Sequence, residues 1–231
     1  MSQTISLNAA DGHALDAYLA QPTGTPKAGI VVLQEIFGVT SHIRSVADGF
    51  AKDGYLTLAP ALFDRARKHV DYNYDATGMQ EGFGIAKSLP LDGTLADIQA
   101  AIVYLRQQPG IKKVGVVGYC WGGKLAWLSN TRLHPDATVS YYPGGIQEFI
   151  TEKSTCPAIF HFGLEDTHIT QNVVEQVRHE YPGFAVYVYE GASHAFNRDA
   201  DSKSYRKEAA TLARQRTLTH FEEHLIAAKH F

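Results

Sequence analysis

The sequence predicts an α/β fold in which a mostly parallel central sheet carries helices on both faces and is preceded by an N-terminal antiparallel hairpin. Three observations predict it. Short, wholly apolar runs of strand length alternate with segments of helical period. Alternating residues flank an Asp11-Gly12 turn near the start of the chain. A glycine-rich turn, Gly118 to Gly123, joins one apolar run to one helical segment.

Thr4 to Ala20 reads as the hairpin, with Ile5 and Leu7 before the turn and Leu15, Tyr18 and Leu19 after it. Ala28 to Leu33 is the first run apolar enough to be buried on both faces of a parallel sheet. Ile43, Val46 and Phe50 follow at helical spacing, with Gly54 placed as a C-terminal cap, and Tyr55 to Ala59 is the next strand. Thr94-x-x-Asp97 reads as a capping box opening a helix that aligns Leu95, Ile98, Ile102 and Leu105. Val114 to Val117, Ala137 to Tyr142, Ala158 to Phe162 and Phe184 to Tyr189 complete the strands. Helices are expected after the glycine-rich turn, from about Gln171 to His179, and around Leu218, Phe221 and Leu225. Right-handed crossovers would join such units within one domain spanning residues 1–231. The stretch from Asp64 to Gly93 is the least regular and is expected to hide a short helix or serve function.

An apolar fraction of 45% with 19% charged residues is globular composition, away from that of disordered chains. A net charge of -3 gives no general attraction to nucleic acid or an anionic membrane. Arg65, Arg67 and Lys68 form the one basic cluster, read as a solvated loop. The first residues lack a basic start followed by an apolar run, and no apolar run approaches the roughly 20 residues that span a bilayer. A cytoplasmic protein, monomeric or a small homo-oligomer, is therefore expected. The two cysteines lack any C-x-x-C or C-x-x-H partner, so no structural metal, disulfide framework or cofactor is expected.

The chemistry concentrates at Gly118-x-Cys120-x-Gly122, between a predicted strand and a predicted helix. In the G-x-S-x-G elbow of α/β-hydrolases such a turn lifts a nucleophile above the sheet. Here a thiol stands in that place, at a helix N-terminus that favours a thiolate. A nucleophile needs a base and the base an orienting acid, in the chain order nucleophile, acid, histidine. Asp166 follows the strand ending at Phe162, and His194 alone of 11 histidines lies in the loop after the last strand. Glu165 is an alternative acid. His161, within a strand, and His168 read as structural histidines, Cys156 as a buried inert thiol, and His220 with His224 as a solvated helix face, because Phe221 replaces the Glu of H-E-x-x-H. Trp121 and Ile36 are placed to offer backbone N–H groups to an oxyanion. Glu35, at the end of a buried strand, should face the pocket or need a partner.

Two other readings stay open on sequence alone. Gly118 to Lys124 spells G-x-x-x-x-G-K, a P-loop-like nucleotide site, although Leu125 stands where the magnesium-binding Ser or Thr belongs. A non-catalytic or redox-sensing relative would oxidise Cys120 without turnover.

Together, Gln34-Glu35-Ile36-Phe37-Gly38, Gly118-Tyr119-Cys120-Trp121-Gly122-Gly123, the Asp166 loop and His194-Ala195-Phe196 with Arg198 resemble the dienelactone hydrolase (carboxymethylenebutenolidase) family over nearly the whole chain. The resemblance implies a carboxylic-ester or lactone hydrolase acting on a small molecule through Cys120, Asp166 and His194. It also implies that Glu35 and Arg198 reorganise to activate the thiol, Glu35 taking its proton. The family's better-known lactonases carry a second arginine for the substrate carboxylate, absent here from Gly78 to Phe83. Neutral esters are therefore expected as substrates, with Tyr72, Tyr74 and Phe83 as candidate contacts.

Overall fold

The structure, a computed structural model, describes residues 1–226. Eight strands form one sheet: β1 (Ser2–Asn8), β2 (Ala14–Ala20), β3 (Gly29–Leu33), β4 (Leu56–Pro60), β5 (Val114–Tyr119), β6 (Ala137–Tyr141), β7 (Ala158–Gly163) and β8 (Ala185–Tyr189). Their spatial order is β1-β2-β4-β3-β5-β6-β7-β8. β2 pairs antiparallel with both β1 and β4, and every other pairing is parallel. The hairpin register sets Leu7 opposite Leu15, which keeps the buried residues of both strands on one face.

The described residues include six helices, five between strands and one after the last: α1 (Ser41–Lys52), α2 (Ala76–Ser88), α3 (Leu91–Arg106), α4 (Trp121–Arg132), α5 (Gln171–Glu180) and α6 (Lys207–Leu225). Side chains alternate across the central strands, so Ile30 and Val32 meet Ile43 and Phe50 of α1 and Phe221 of α6. Val31 and Leu33 instead meet Ile98, Ile102 and Leu105 of α3 and Leu125 of α4. The continuous apolar runs are explained by this double burial. Gly115 makes room for α6, since a Cβ there would lie 2.7 Å from the Phe221 ring.

Gly54, at φ +97, follows α1 as anticipated, and Tyr55 N–H returns to Phe50 C=O at 3.1 Å. The capping box was misplaced. α3 begins three residues before Thr94, with Pro90 as its cap, and Thr94 Oγ1 donates to Pro90 C=O. Asp97 is fully buried and accepts from Arg65 Nε and Nη2 at 2.8 and 2.9 Å, so its carboxylate holds a neighbouring element rather than a helix end. Arg65 is therefore not part of a solvated loop, and Asp11 also pairs with it at 2.7 Å. The irregular stretch contains a 3₁₀ turn at Leu62–Arg65 and α2, whose N-terminus Asp75 caps through Gly78 N–H at 2.7 Å. Among the described residues no helix is long and apolar enough to cross a membrane.

Candidate active site

The carboxyl ends of the parallel strands supply the site, where loops leave an open α/β sheet together. β5 ends at Tyr119, and Cys120 caps α4 at φ 57, ψ -119. A residue with a Cβ held there costs about 1–3 kcal/mol, so the surroundings must impose the conformation. Cys120 N–H donates to Tyr141 C=O at 3.1 Å, while Cys120 C=O accepts from Gly123 and Lys124 N–H. A Cβ at Gly118 would lie 1.8 Å from Gly122 C=O, and one at Gly122 would lie 2.4 Å from both Leu33 and Gln34 C=O. Both glycines are required by backbone contact. The Gly123 and Lys124 amides are committed to Cys120 C=O and are not available to a nucleotide's phosphates.

Cys120 Sγ lies 3.1 Å from His194 Nε2, and His194 Nδ1 lies 2.7 Å from Asp166 Oδ2. Asp166 Oδ1 accepts from His168 and Ile169 N–H at 2.8 and 3.1 Å. Burial opposes ionisation of Asp166, but His194 and these amides outweigh it and hold its carboxyl below the usual range. Burial likewise opposes a charged His194, yet the contacts with Cys120 and Asp166 prevail and push it up to about 10. Glu165 points elsewhere. Its Oε1 accepts from Gly191 N–H at 3.0 Å and closes the loop that carries His194.

Glu35 and Arg198 meet in the same region. Glu35 is 1% exposed and accepts from Arg198 Nη1 at 3.2 Å through Oε1, while Oε2 has no protein partner among the described residues. Arg198 Nη2 donates to Asp201 at 2.8 Å, and its guanidinium lies 4.3 Å from the Tyr74 ring centroid and 5.2 Å from that of Phe37. Tyr74 OH contacts Thr40 Oγ1 at 2.8 Å, and burial pushes its phenol up to about 12. Tyr72 packs on the cluster formed by Ile36, Phe37, Phe63 and Val70, and its hydroxyl accepts from Arg67 Nη1 at 2.8 Å. Phe83 stands apart, 61% exposed on α2. Ile36 is buried and Trp121 half-buried, and neither donates its N–H to a protein acceptor among the described residues.

The remaining histidines and thiol are distributed otherwise. His161 is fully buried between Tyr189 OH at 2.9 Å and Thr217 Oγ1 at 3.1 Å. His168 is exposed, its ring 5.1 Å from that of His194. His220 corrects the expectation of a solvated face. It is 6% exposed, and burial followed by the nearby His224 pushes it down to about 4. Cys156 is half-buried against Asn130, and burial pushes its thiol up to about 12. Among the described residues no group of three or more His, Cys, Asp or Glu is arranged to hold a metal ion.

Tyr142 went unanticipated. It is fully buried at φ 32, its ring lies 5.1 Å from that of His194, and Glu35 and Cys120 are among the titratable groups near it. Its place just beyond β6 is the signal that would have found it, because residues at strand carboxyl ends face the crevice.

The dienelactone hydrolase family model matches residues 15–225. The carboxymethylenebutenolidase of Pseudomonas putida is 31% identical over 225 residues, 94% of this chain and 95% of its own. That of Pseudomonas sp. strain P51 is 28% identical over 225 residues, 94% of each chain. A crystal structure from Klebsiella pneumoniae subsp. pneumoniae, assigned to the dienelactone hydrolases, superposes with a TM-score of 0.83 at 28% identity, covering 97% of this chain and 100% of that one. A dienelactone hydrolase-like promiscuous phosphotriesterase from metagenomic libraries shares the fold at a TM-score of 0.79 and 19% identity, covering 98% and 99%. The sheet and these neighbours are those of an α/β-hydrolase. By the match over residues 15–225 and by these relatives, the chain belongs to the dienelactone hydrolase family.

Proposed function

We propose that the protein hydrolyses small carboxylic esters or lactones by acyl transfer through Cys120. The observation that carries this reading is the unbroken contact from Cys120 Sγ to His194 Nε2 and from His194 Nδ1 to Asp166, at 3.1 and 2.7 Å. The raised basicity of His194, in contact with Sγ at 3.1 Å, suits it to hold the thiol's proton. Thiolate attack on the ester carbonyl forms a C–S bond and places negative charge on oxygen. The free N–H groups of Ile36 and Trp121 are suited to receive that charge. Collapse breaks the C–O bond, with His194 giving its proton to the departing alkoxide. Water then attacks the thioester, His194 takes its proton, and the carboxylic acid leaves as Cys120 recovers.

Glu35 serves the activation of the thiol in this reading. Glu35, whose Oε2 has no protein partner among the described residues, takes the thiol proton and relays it to His194, which holds it beside Sγ until the alkoxide departs. Neutral substrates fit the cations present. Both terminal nitrogens of Arg198 are occupied by Glu35 and Asp201, Arg65 is held by Asp97 and Asp11, and Arg67 bonds Tyr72. A substrate carboxylate would have to displace one of these partners.

The test is a panel of a carboxylated dienelactone, a neutral lactone and neutral aryl and alkyl esters, with trapping of an acyl group on Cys120 by mass spectrometry. Turnover of the neutral esters with acylated Cys120 is expected, and Arg198→Ala should raise KM for carboxylated substrates. Undiminished hydrolysis by Cys120→Ala would overturn the mechanism. Strict selectivity for the carboxylated lactone would overturn the substrate class.

A further inference from the structure

Gln34, one residue beyond β3, is fully buried, and both ends of its amide are engaged. Its Oε1 accepts from Leu62 N–H at 3.0 Å, and its Nε2 donates to Glu35 C=O at 3.0 Å. These contacts settle the orientation of the amide, because exchanging oxygen and nitrogen would set acceptor against acceptor and donor against donor. Glu35 C=O and Ile36 N–H belong to one trans peptide unit and therefore point in opposite directions. Fixing the carbonyl on one side aims the N–H on the other. That N–H is free among the described residues. The surroundings leave the peptide little other freedom, since Phe37 C=O accepts from Tyr72 N–H at 2.9 Å and a Cβ at Gly82 of α2 would lie 1.6 Å from Ile36 C=O.

We infer that Gln34 is a positioning residue for the oxyanion site, its carboxamide setting the Glu35–Ile36 peptide plane and hence the direction in which Ile36 N–H meets the tetrahedral intermediate. The inference rests on the acyl-transfer reading above and adds to it the residue that aims one of the two donors. A purely space-filling Gln34 would affect folding without distinguishing one reaction of Cys120 from another.

Two reactions of the same thiol separate these roles. Hydrolysis of a neutral aryl ester passes through an oxyanion. Alkylation by iodoacetamide forms a C–S bond as iodide departs from a saturated carbon, and builds no oxyanion. Gln34→Met should lower kcat for the ester by about 10-fold to 100-fold, approaching the loss of an oxyanion donor, with KM nearly unchanged. Alkylation of Cys120 should stay within about twofold of the parent, because thiolate character and access are untouched.

Gln34→Glu gives a second route should the first variant fail to fold. It keeps an acceptor for Leu62 N–H, and its protonated carboxyl can still donate to Glu35 C=O. The ratio of ester hydrolysis to alkylation should therefore stand near the parent value at low pH and fall as the introduced carboxyl ionises. Taking the ratio at each pH removes the titration of Cys120 itself. Equal losses in both reactions, or a pH-independent ratio in Gln34→Glu, would overturn the inference. Full ester turnover by Cys120→Ala would instead overturn the acyl-transfer reading, so the two failures are distinguishable.

Discussion

His194 and His161 are both held through both ring nitrogens, yet their protonation is driven in opposite directions. His194 lies between a thiol and a carboxylate, which overcome burial and push it up to about 10. His161 lies between two hydroxyls, and burial, then Arg216 and His220, drive it well below its usual value. Hydroxyls either donate or accept, so a neutral ring is fully satisfied between Tyr189 and Thr217. Charge among the partners, and not the number of hydrogen bonds, decides whether a buried imidazole is poised to carry a proton. The thiols differ in a parallel way. Cys120 sits on a strained turn against His194, whereas Cys156 is pushed up to about 12 by burial beside Asn130.

The largest expected effect tests the thiols. Cys120→Ala should cost at least about a thousandfold in kcat for a neutral aryl ester, with Cys156→Ala within about twofold of the parent. Iodoacetamide should reach Cys120 first, and similar rates at both positions would erase the distinction.

Acid stability comes next. His220 is pushed down to about 4 in the fold, against about 6.5 in an unfolded chain. The unfolded chain binds the proton first, so stability is lost as pH falls through that window and levels off below about 4. The loss is about 3 kcal/mol when complete. His194 has the opposite sign. Its contribution is fully present below about 6.5 and is lost as pH rises through about 10. Urea midpoints between pH 7 and 4.5 should fall less in His220→Gln than in the parent, and equal slopes would remove His220 from the account.

Asp166→Asn sharpens the same comparison by making the partner of His194 neutral. A loss in kcat of up to about 10⁴-fold is expected, with the imidazolium of His194 titrating at lower pH. An unshifted titration, followed by NMR of the ring, would show that Asp166 does not set the charge. The smallest effect belongs to His161→Gln. It should cost about 1–2 kcal/mol of stability in urea while leaving kcat nearly unchanged, because only neutral hydrogen bonds are altered.

Much of the fold was legible because burial on both faces of a parallel sheet leaves a direct mark, as in Ile30 to Leu33 and Val114 to Val117. The elbow was legible because Gly118 and Gly122 are the only residue type that their backbone contacts admit. Asp97 and His220 were misread for a common reason. A polar residue in a capping pattern or on a helix looks solvated in sequence, and its distant partner or cover is not written beside it. Arg65 lies 32 positions from Asp97. His220 lies against the Pro157 and Thr138 backbones, far from it in the chain.

The chain itself determined the order of strands and helices, the glycines of the turn and the presence of Cys120, Asp166 and His194 in loops after strands. These depend on apolar periodicity and local backbone sterics, which act over a few residues. Tertiary structure alone decided that Asp166 rather than Glu165 meets His194, that Arg198 is shared between Glu35 and Asp201, and that Gln34 grips Glu35 C=O while Tyr142 closes beside His194. Those outcomes are set by distances of a few ångströms between segments up to 163 residues apart. Electrostatic and hydrogen-bond energies fall steeply over such distances, so neighbouring side chains of similar chemistry acquire different roles only when packing fixes which one is in reach.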